Sequence, residues 1–183
     1  MKTKPATEFA LMGVLMAGPM HGYDIMQFME KELGSAWYVS PSQLYSLLKK
    51  MENKAHLQST VQSQTHRPAK RVFRLTARGR TAFLQWLHEP AEHVRDLRIE
   101  FLAKVFFLKR YALRGADTLI ENQIQELDRK KEQIIVFYQQ ENGAFKKLVL
   151  DSRLATLEAW LKWLSTRAKN YIREENTHHG EQI

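Results

Sequence analysis

The 183-residue chain contains no cysteine, which excludes a disulfide framework and any thiolate metal site. A reducing compartment, the cytoplasm, is the simplest setting for such a sequence. No apolar run is long enough to span a bilayer. The opening MKTKPATEFALMGVLMAGPM places two lysines before an apolar stretch, as a signal peptide does, but Glu8 interrupts the boundary and no A-x-A cleavage signal follows. It reads instead as a first core helix that buries Phe9, Met12 and Met16 with Leu11 and Leu15, and ends at Gly18-Pro19. Signatures of catalysis are missing as well: there is no G-x-S-x-G, no Walker A loop and no glycine-rich strand-to-helix turn. His88 and His93 in HEPAEH are five apart with Pro90 between them, which is not the i, i+4 geometry of a zinc-protease helix. The sequence therefore predicts no enzyme, no cofactor and no metal.

Acid is scarce where base is plentiful. The formal charge is +8, and its distribution is uneven: residues 1–90 carry 12 Lys and Arg against 6 Asp and Glu, whereas residues 91–183 carry 16 against 14. Net charge of this kind speaks to association with a polyanion and not to fold. Between Gln64 and Arg80 stand Arg67, Lys70, Arg71, Arg74, Arg78 and Arg80, with His66 and no acid at all. A solvated face usually mixes signs, while a patch of one sign repels itself and is commonly a footprint for an anion.

The helical pattern runs on after the first helix. HGYDIMQFMEKELG opens at His21-Gly22, repeats Ile25, Met29 and Leu33 beside Met26 and Phe28, and stops at Gly34. SPSQLYSLLKKME starts sharply, with Ser40 as cap, Pro41 at the first helical position and Gln43 completing a capping box. Leu44, Leu47, Leu48 and Met51 form its narrow apolar stripe, while Ser42, Tyr45, Ser46 and Lys49, flanked by Gln43 and Lys50, face outward with no carboxylate before Glu52. LQSTVQS at 57–63 and KRVFRL at 70–75 read as a hairpin with QTHRPA at its tip, and Thr76 caps a fourth helix that buries Ala82, Phe83, Trp86 and Leu87 before Pro90.

Three helices, a two-stranded ribbon and a further helix is the order of a winged helix-turn-helix. The second helix of such a pair lies in the major groove, where hydroxyls, an amide and lysines can donate to phosphates or read base edges and a carboxylate would have the wrong sign. A merely solvated helix face could share that composition, and the cationic hairpin tilts the reading toward DNA.

At these separations and in this order, PMHGYDI, SPSQLYSLLKKME and RVFRLTARGR resemble the signatures of PadR-like transcriptional regulators, and RIEFLAKVFF resembles the segment after the winged helix in the longer, phenolic-acid-regulator type. The resemblance implies an N-terminal winged helix and a helical C-terminal region that makes a homodimer. It further implies that small aromatic molecules bind between the winged helix and the C-terminal helices or across the dimer. Trp37, Phe101, Trp160 and Trp163 are candidates to line such a pocket, with Arg95, Arg98 or Lys104 as the cation. Two positions depart from the family: Ser46 where Pro is frequent, and Ala55 where Gly is usual. Ala55 must then take a left-handed conformation at a cost of about 1 kcal/mol, or the chain leaves the helix differently.

The C-terminal half has a seam of its own. Ile120, Leu127 and Ile134 repeat every seven, with Ile124 and Tyr138 on the adjoining row and Lys131 breaking it. In the next helix Leu150, Leu154, Leu157, Leu161, Leu164, Ala168 and Tyr171 alternate spacings of four and three, a seam that wants a facing helix. An intramolecular pair satisfies it as well as a dimer does. The dimer gains by presenting two half-sites about one turn of DNA apart.

The sequence thus predicts a mainly α fold with a small β-hairpin: residues 1–90 a winged helix-turn-helix and 91–183 a helical dimerisation and effector-binding region. The expected function is that of a cytoplasmic, homodimeric, sequence-specific DNA-binding transcriptional regulator, a repressor released by a small aromatic ligand, with no membrane contact. His21, Tyr23, Ser42, Gln43, Tyr45, Ser46 and Lys49 are expected to face the groove or its phosphates, and Arg67, Lys70 and Arg71 to serve the wing. The competing reading is a winged-helix protein-interaction module without specific DNA binding.

Overall fold

A computed structural model describes residues 6–34, 37–64 and 67–174, side chains of 63–64 and 67–69 excepted. His66, the Arg67 side chain and the tail with His178 and His179 lie outside the described residues. The chain divides into two compact units. One takes the residues up to Leu87 together with Arg98–Phe107; the other takes His88–Leu97 and the residues from Leu108 on.

The first unit holds α1 (Ala6–Leu15), β1 (Met20–His21), α2 (Gly22–Leu33), α3 (Pro41–Asn53), β2 (Leu57–Gln64), β3 (Arg67–Leu75) and α4 (Ala77–His88). Its sheet is three-stranded and antiparallel in the order β1-β3-β2, with Met20 opposite Phe73 and Leu57 opposite Leu75. The ribbon expected to have two strands therefore gains a third, which ties the start of α2 to the wing. Leu11, Ile25, Leu44, Leu48, Met51, Phe73, Phe83 and Trp86 are fully buried, each worth roughly 1.5–3 kcal/mol of transfer free energy.

Segment 98–107 returns to this unit for a packing reason. It enters through a wide π turn, Leu97–Phe101, and continues as α5 (Leu102–Arg110). Phe107 lies against Gly13, where a Cβ would come within 2.5 Å of its ring, and it meets Phe83 edge-on. Lys104, completely buried, is 2.5 Å from Glu100 and sits 4.8 Å from the Trp86 ring, while Trp86 Nε1 donates to the same carboxylate at 3.1 Å. An ion pair removed from water this far has to be closed by geometry and additional hydrogen bonds, and here both are present.

Both of the non-glycine residues with positive φ among the described residues are alanines just past helix ends. Ala55 takes φ 56° after α3, with its N–H on the Glu52 carbonyl at 2.8 Å and the His56 N–H on that of Met51 at 2.9 Å. Ala112 takes φ 47° after α5, with the same pair of bonds to Lys109 and Leu108. These are Schellman stops made without glycine. Gly34, expected to stop α2 in glycine's usual way, is instead right-handed, at φ −59°.

The second unit is built on α6 (Ala116–Gln140) and α7 (Ala144–Trp163), which continues through a π turn, Leu164–Ala168, into α8 (Lys169–Arg173). Glu141 Oε1 accepts from the N–H groups of Asn142 and Gly143 and organises the short connection between α6 and α7. The seam is used within the chain: Leu157, Leu164 and Ala168 are buried in this unit, as are Ile120, Leu127 and Ile134 on α6. Lys131, the residue that breaks the α6 row, pairs with Glu158 of α7 at 2.9 Å. Leu150, Leu154 and Leu161 are only half-buried. Gln123 anchors the 88–97 segment, its buried amide exchanging two hydrogen bonds with the Ala91 backbone at 2.6 and 3.2 Å. Among the described residues no helix is long and apolar enough to cross a membrane.

Candidate nucleic-acid interface

Helix α3 starts where its sequence says it should. Ser40, extended at φ −71° and ψ 154°, accepts the Gln43 N–H on its hydroxyl at 3.3 Å, and Pro41 fills the first turn. Leu44, Leu48 and Met51 are buried, which turns Ser42, Gln43, Tyr45, Ser46 and Lys49 to the exterior. All five expected reading residues of this helix are exposed on one element. Tyr45 lies over α2: a Cβ on Gly22 would fall 2.7 Å from its hydroxyl oxygen, so the bare glycine at the start of α2 gives the phenol room.

Residues at the start of α2 stand close by. Tyr23 is exposed and accepts a hydrogen bond from Gln27 Nε2 at 3.1 Å. His21 is half-buried in β1, its Nδ1 3.3 Å from the Arg71 carbonyl. On the wing, Lys70 is exposed. Arg71 is more committed than the sequence suggested. Its Nη2 lies 3.0 Å from both oxygens of Glu52, its Nε donates to Ser59 Oγ at 2.6 Å, and Ser59 Oγ donates to Glu52 Oε1 at 2.6 Å.

A second carboxylate works from behind. Glu8 of α1, 2% exposed, lies 2.6 Å from Lys50 Nζ and 2.7 Å from Lys54 Nζ, at the C-terminal end of α3. Burial pushes its pKa up, but the bonds to Lys50 and Lys54 outweigh this and hold it below the usual carboxylate range. The pair of lysines also sits where a helix C-terminus favours cations. Nearby, burial together with the charges of Arg78 and Lys54 pushes the His56 imidazole below its ordinary value. Thr76 closes the start of α4 by accepting the Gly79 N–H at 3.0 Å while donating toward the Ala55 and His56 carbonyls.

The sequence missed Glu8, Glu52 and Ser59, all of which act on the interface through its cations. The candidate pocket residues fall in different places. Trp37 and Phe101 are buried in the first unit, with Trp37 Nε1 donating to Thr7 Oγ1 at 3.3 Å; Trp160 and Trp163 form an edge-on pair in the second. None of the four lines the cavity of about 740 Å³ in the second unit, whose walls include Val94, Ile134, Phe137 and Leu157 with Arg95 and Arg153. Lys104, offered as a pocket cation, is engaged with Glu100.

Residues 11–85 match the sequence profile of the "Transcriptional regulator PadR-like family". The "Negative transcriptional regulator PadR" of Bacillus subtilis is 29% identical over 145 residues, which span 78% of this chain and 74% of that protein. The crystal structure of Bacillus subtilis PadR with operator DNA aligns over 90% of this chain and 98% of that one, at 26% identity and a TM-score of 0.44. The same protein with p-coumaric acid aligns over 94% and 99%, at 24% identity and a TM-score of 0.40. The profile match covers α2, α3 and the wing, the elements that carry the geometry above, and over this region the chain is similar to the PadR-like family of winged helix-turn-helix transcriptional regulators.

Proposed function

We propose that this regulator binds a specific operator in double-stranded DNA as a homodimer, represses from it, and is released by a small aromatic acid. The observation that carries the reading is the exposed face of α3, where Ser42, Gln43, Tyr45, Ser46 and Lys49 stand together without a carboxylate among them. Gln43 is the natural reader of a base edge, being able to donate and accept at once, while Lys49 and the hydroxyls suit phosphates. Lys70 extends the contact along the wing.

Dimerisation falls to the outer side of the α6 and α7 pair. Leu157, Leu164 and Ala168 are spent inside the chain. Leu150, Leu154 and Leu161 remain half-buried, and Phe145, Leu148 and Val149 are exposed beside them. A second copy laid along this side would bury them, and a two-fold dimer has one α3 for each half-site. For the effector, the second-unit cavity offers apolar walls and two guanidinium groups. With DNA as target, the cytoplasm is the compartment we assign.

The test is fluorescence anisotropy of the full chain on DNA from upstream of its own coding region and on a scrambled duplex, over a salt series, with and without p-coumaric acid. Specific binding by two subunits per site, with a logarithmic salt slope of about −0.9 per phosphate neutralised, supports the reading. Release by the acid at concentrations that leave scrambled binding unchanged supports the effector. Equal, weak binding to both duplexes that vanishes with modest salt favours the protein-interaction alternative.

A further inference from the structure

Glu52 is a puzzle on a surface built for a polyanion. It occupies the last turn of α3, next to the reading residues, where plain electrostatics disfavours a carboxylate. Its oxygens are nevertheless engaged from two strands at once, by Arg71 of β3 and Ser59 of β2, and Arg71 and Ser59 bond each other as well. The three side chains close a ring of hydrogen bonds between the helix and both strands of the wing. Arg71 adds two further ties: its carbonyl meets His21 Nδ1 at the start of α2, and its guanidinium carbon lies 5.5 Å from the Phe73 ring centre.

We infer that Glu52, Ser59 and Arg71 form a positioning clamp that fixes the wing relative to α3. Arg71 thereby serves sequence discrimination by geometry and not by neutralising a phosphate. The inference rests on the DNA-binding reading for its consequence, though not for its mechanics. Charge-assisted, bidentate bonds are the strong ones and are directional, which suits them to holding an angle. A wing set in advance spares the ordering cost that a loose ribbon would meet on binding. Glu52 also cancels the charge that would otherwise make Arg71 a phosphate ligand, so its removal adds positive potential while taking away alignment. The two accounts therefore predict opposite signs.

The experiment uses the full chain with Glu52→Gln, Arg71→Gln, the double variant, and Lys49→Gln as a phosphate-contact reference. On the upstream duplex, Glu52→Gln is expected to weaken specific binding about tenfold while scrambled binding holds or rises slightly. Arg71→Gln should weaken specific binding similarly without changing the salt slope, and the double variant should be no worse than either single one. Lys49→Gln should make the slope shallower by about 0.9. Tighter or unchanged specific binding by Glu52→Gln, or a slope change in Arg71→Gln like that of Lys49→Gln, overturns the clamp. Amide hydrogen exchange in the free protein decides independently of DNA. Faster exchange across β2 and β3 in Glu52→Gln supports the clamp, and unchanged rates overturn it. A wild-type chain that cannot tell the two duplexes apart counts against the regulator reading alone, and the exchange data still decide the clamp.

Discussion

The two units handle awkward side chains in opposite ways. The first takes charge inside, with Glu8 held by Lys50 and Lys54 and Glu100 paired to a fully buried Lys104, and presents a polar, cationic exterior. The second keeps its charges out and leaves apolar groups there too: Val136, Phe137, Phe145, Leu148 and Val149 are all exposed on α6 and α7. A unit with helices and a sheet around one core can cover its apolar surface. A pair of long helices has two broad sides and only one of them is used for pairing. The difference teaches that the second unit has aliphatic area on its helices to offer another surface.

The largest effect that could break this contrast is expected at Glu100. Glu100→Ala takes away the carboxylate that Lys104 and Trp86 share, and should cost about 3 kcal/mol in urea unfolding. Replacing both members, Glu100→Gln with Lys104→Met, should recover most of it. A negligible loss in the single variant would mean that the buried pair matters little to the first unit. Glu8→Gln comes next, at about 1–2 kcal/mol near neutral pH, because two ammonium groups lose their partner. The folded pKa of Glu8 lies below its unfolded value near 4.5, so its contribution is present above that value and fades as pH falls through the folded pKa. Stability followed by circular dichroism from pH 6 down to about 2.5 should therefore decline less steeply in Glu8→Gln than in the parent.

Ala55→Gly and Ala112→Gly compare the two ends directly. Each relieves a left-handed alanine but loosens the unfolded chain, and each should raise the unfolding free energy by about 0.5 kcal/mol. Smallest in stability is Leu148→Ser, within about 0.5 kcal/mol for a monomer because the side chain is exposed. Its effect should appear in sedimentation instead, as a shift toward the monomer, and unchanged association would move the dimer contact away from this side.

Much of the first unit could be read from the sequence because its signals are local. The Ser40 and Thr76 caps and the α3 stripe each follow from a few neighbouring residues, whereas the left-handed turn at Ala55 is one of two alternatives that the family resemblance left open. The rest had no local signature. Two residues in β1 cannot show a period, and Glu8 meets Lys54 across 46 positions and Glu52 meets Arg71 across 19. Glu100 and Lys104 stand four apart, a spacing that shows the pair but not its burial under Trp86, and the Leu150 to Ala168 seam has the same spacing whether its neighbour is α6 or another copy. Spacing specifies what a helix wants beside it but not which chain supplies it.

The contact between Gly22 and Tyr45 bears on redesign. Because the phenol rests where a side chain at position 22 would be, the reading helix and the helix before it are cut to one another. Specificity in this scaffold is not a detachable cassette. Grafting a foreign sequence onto α3 while dropping Tyr45 leaves an empty notch over Gly22, and filling that notch from below displaces the Tyr45 ring. Retargeting requires the two positions to be chosen together.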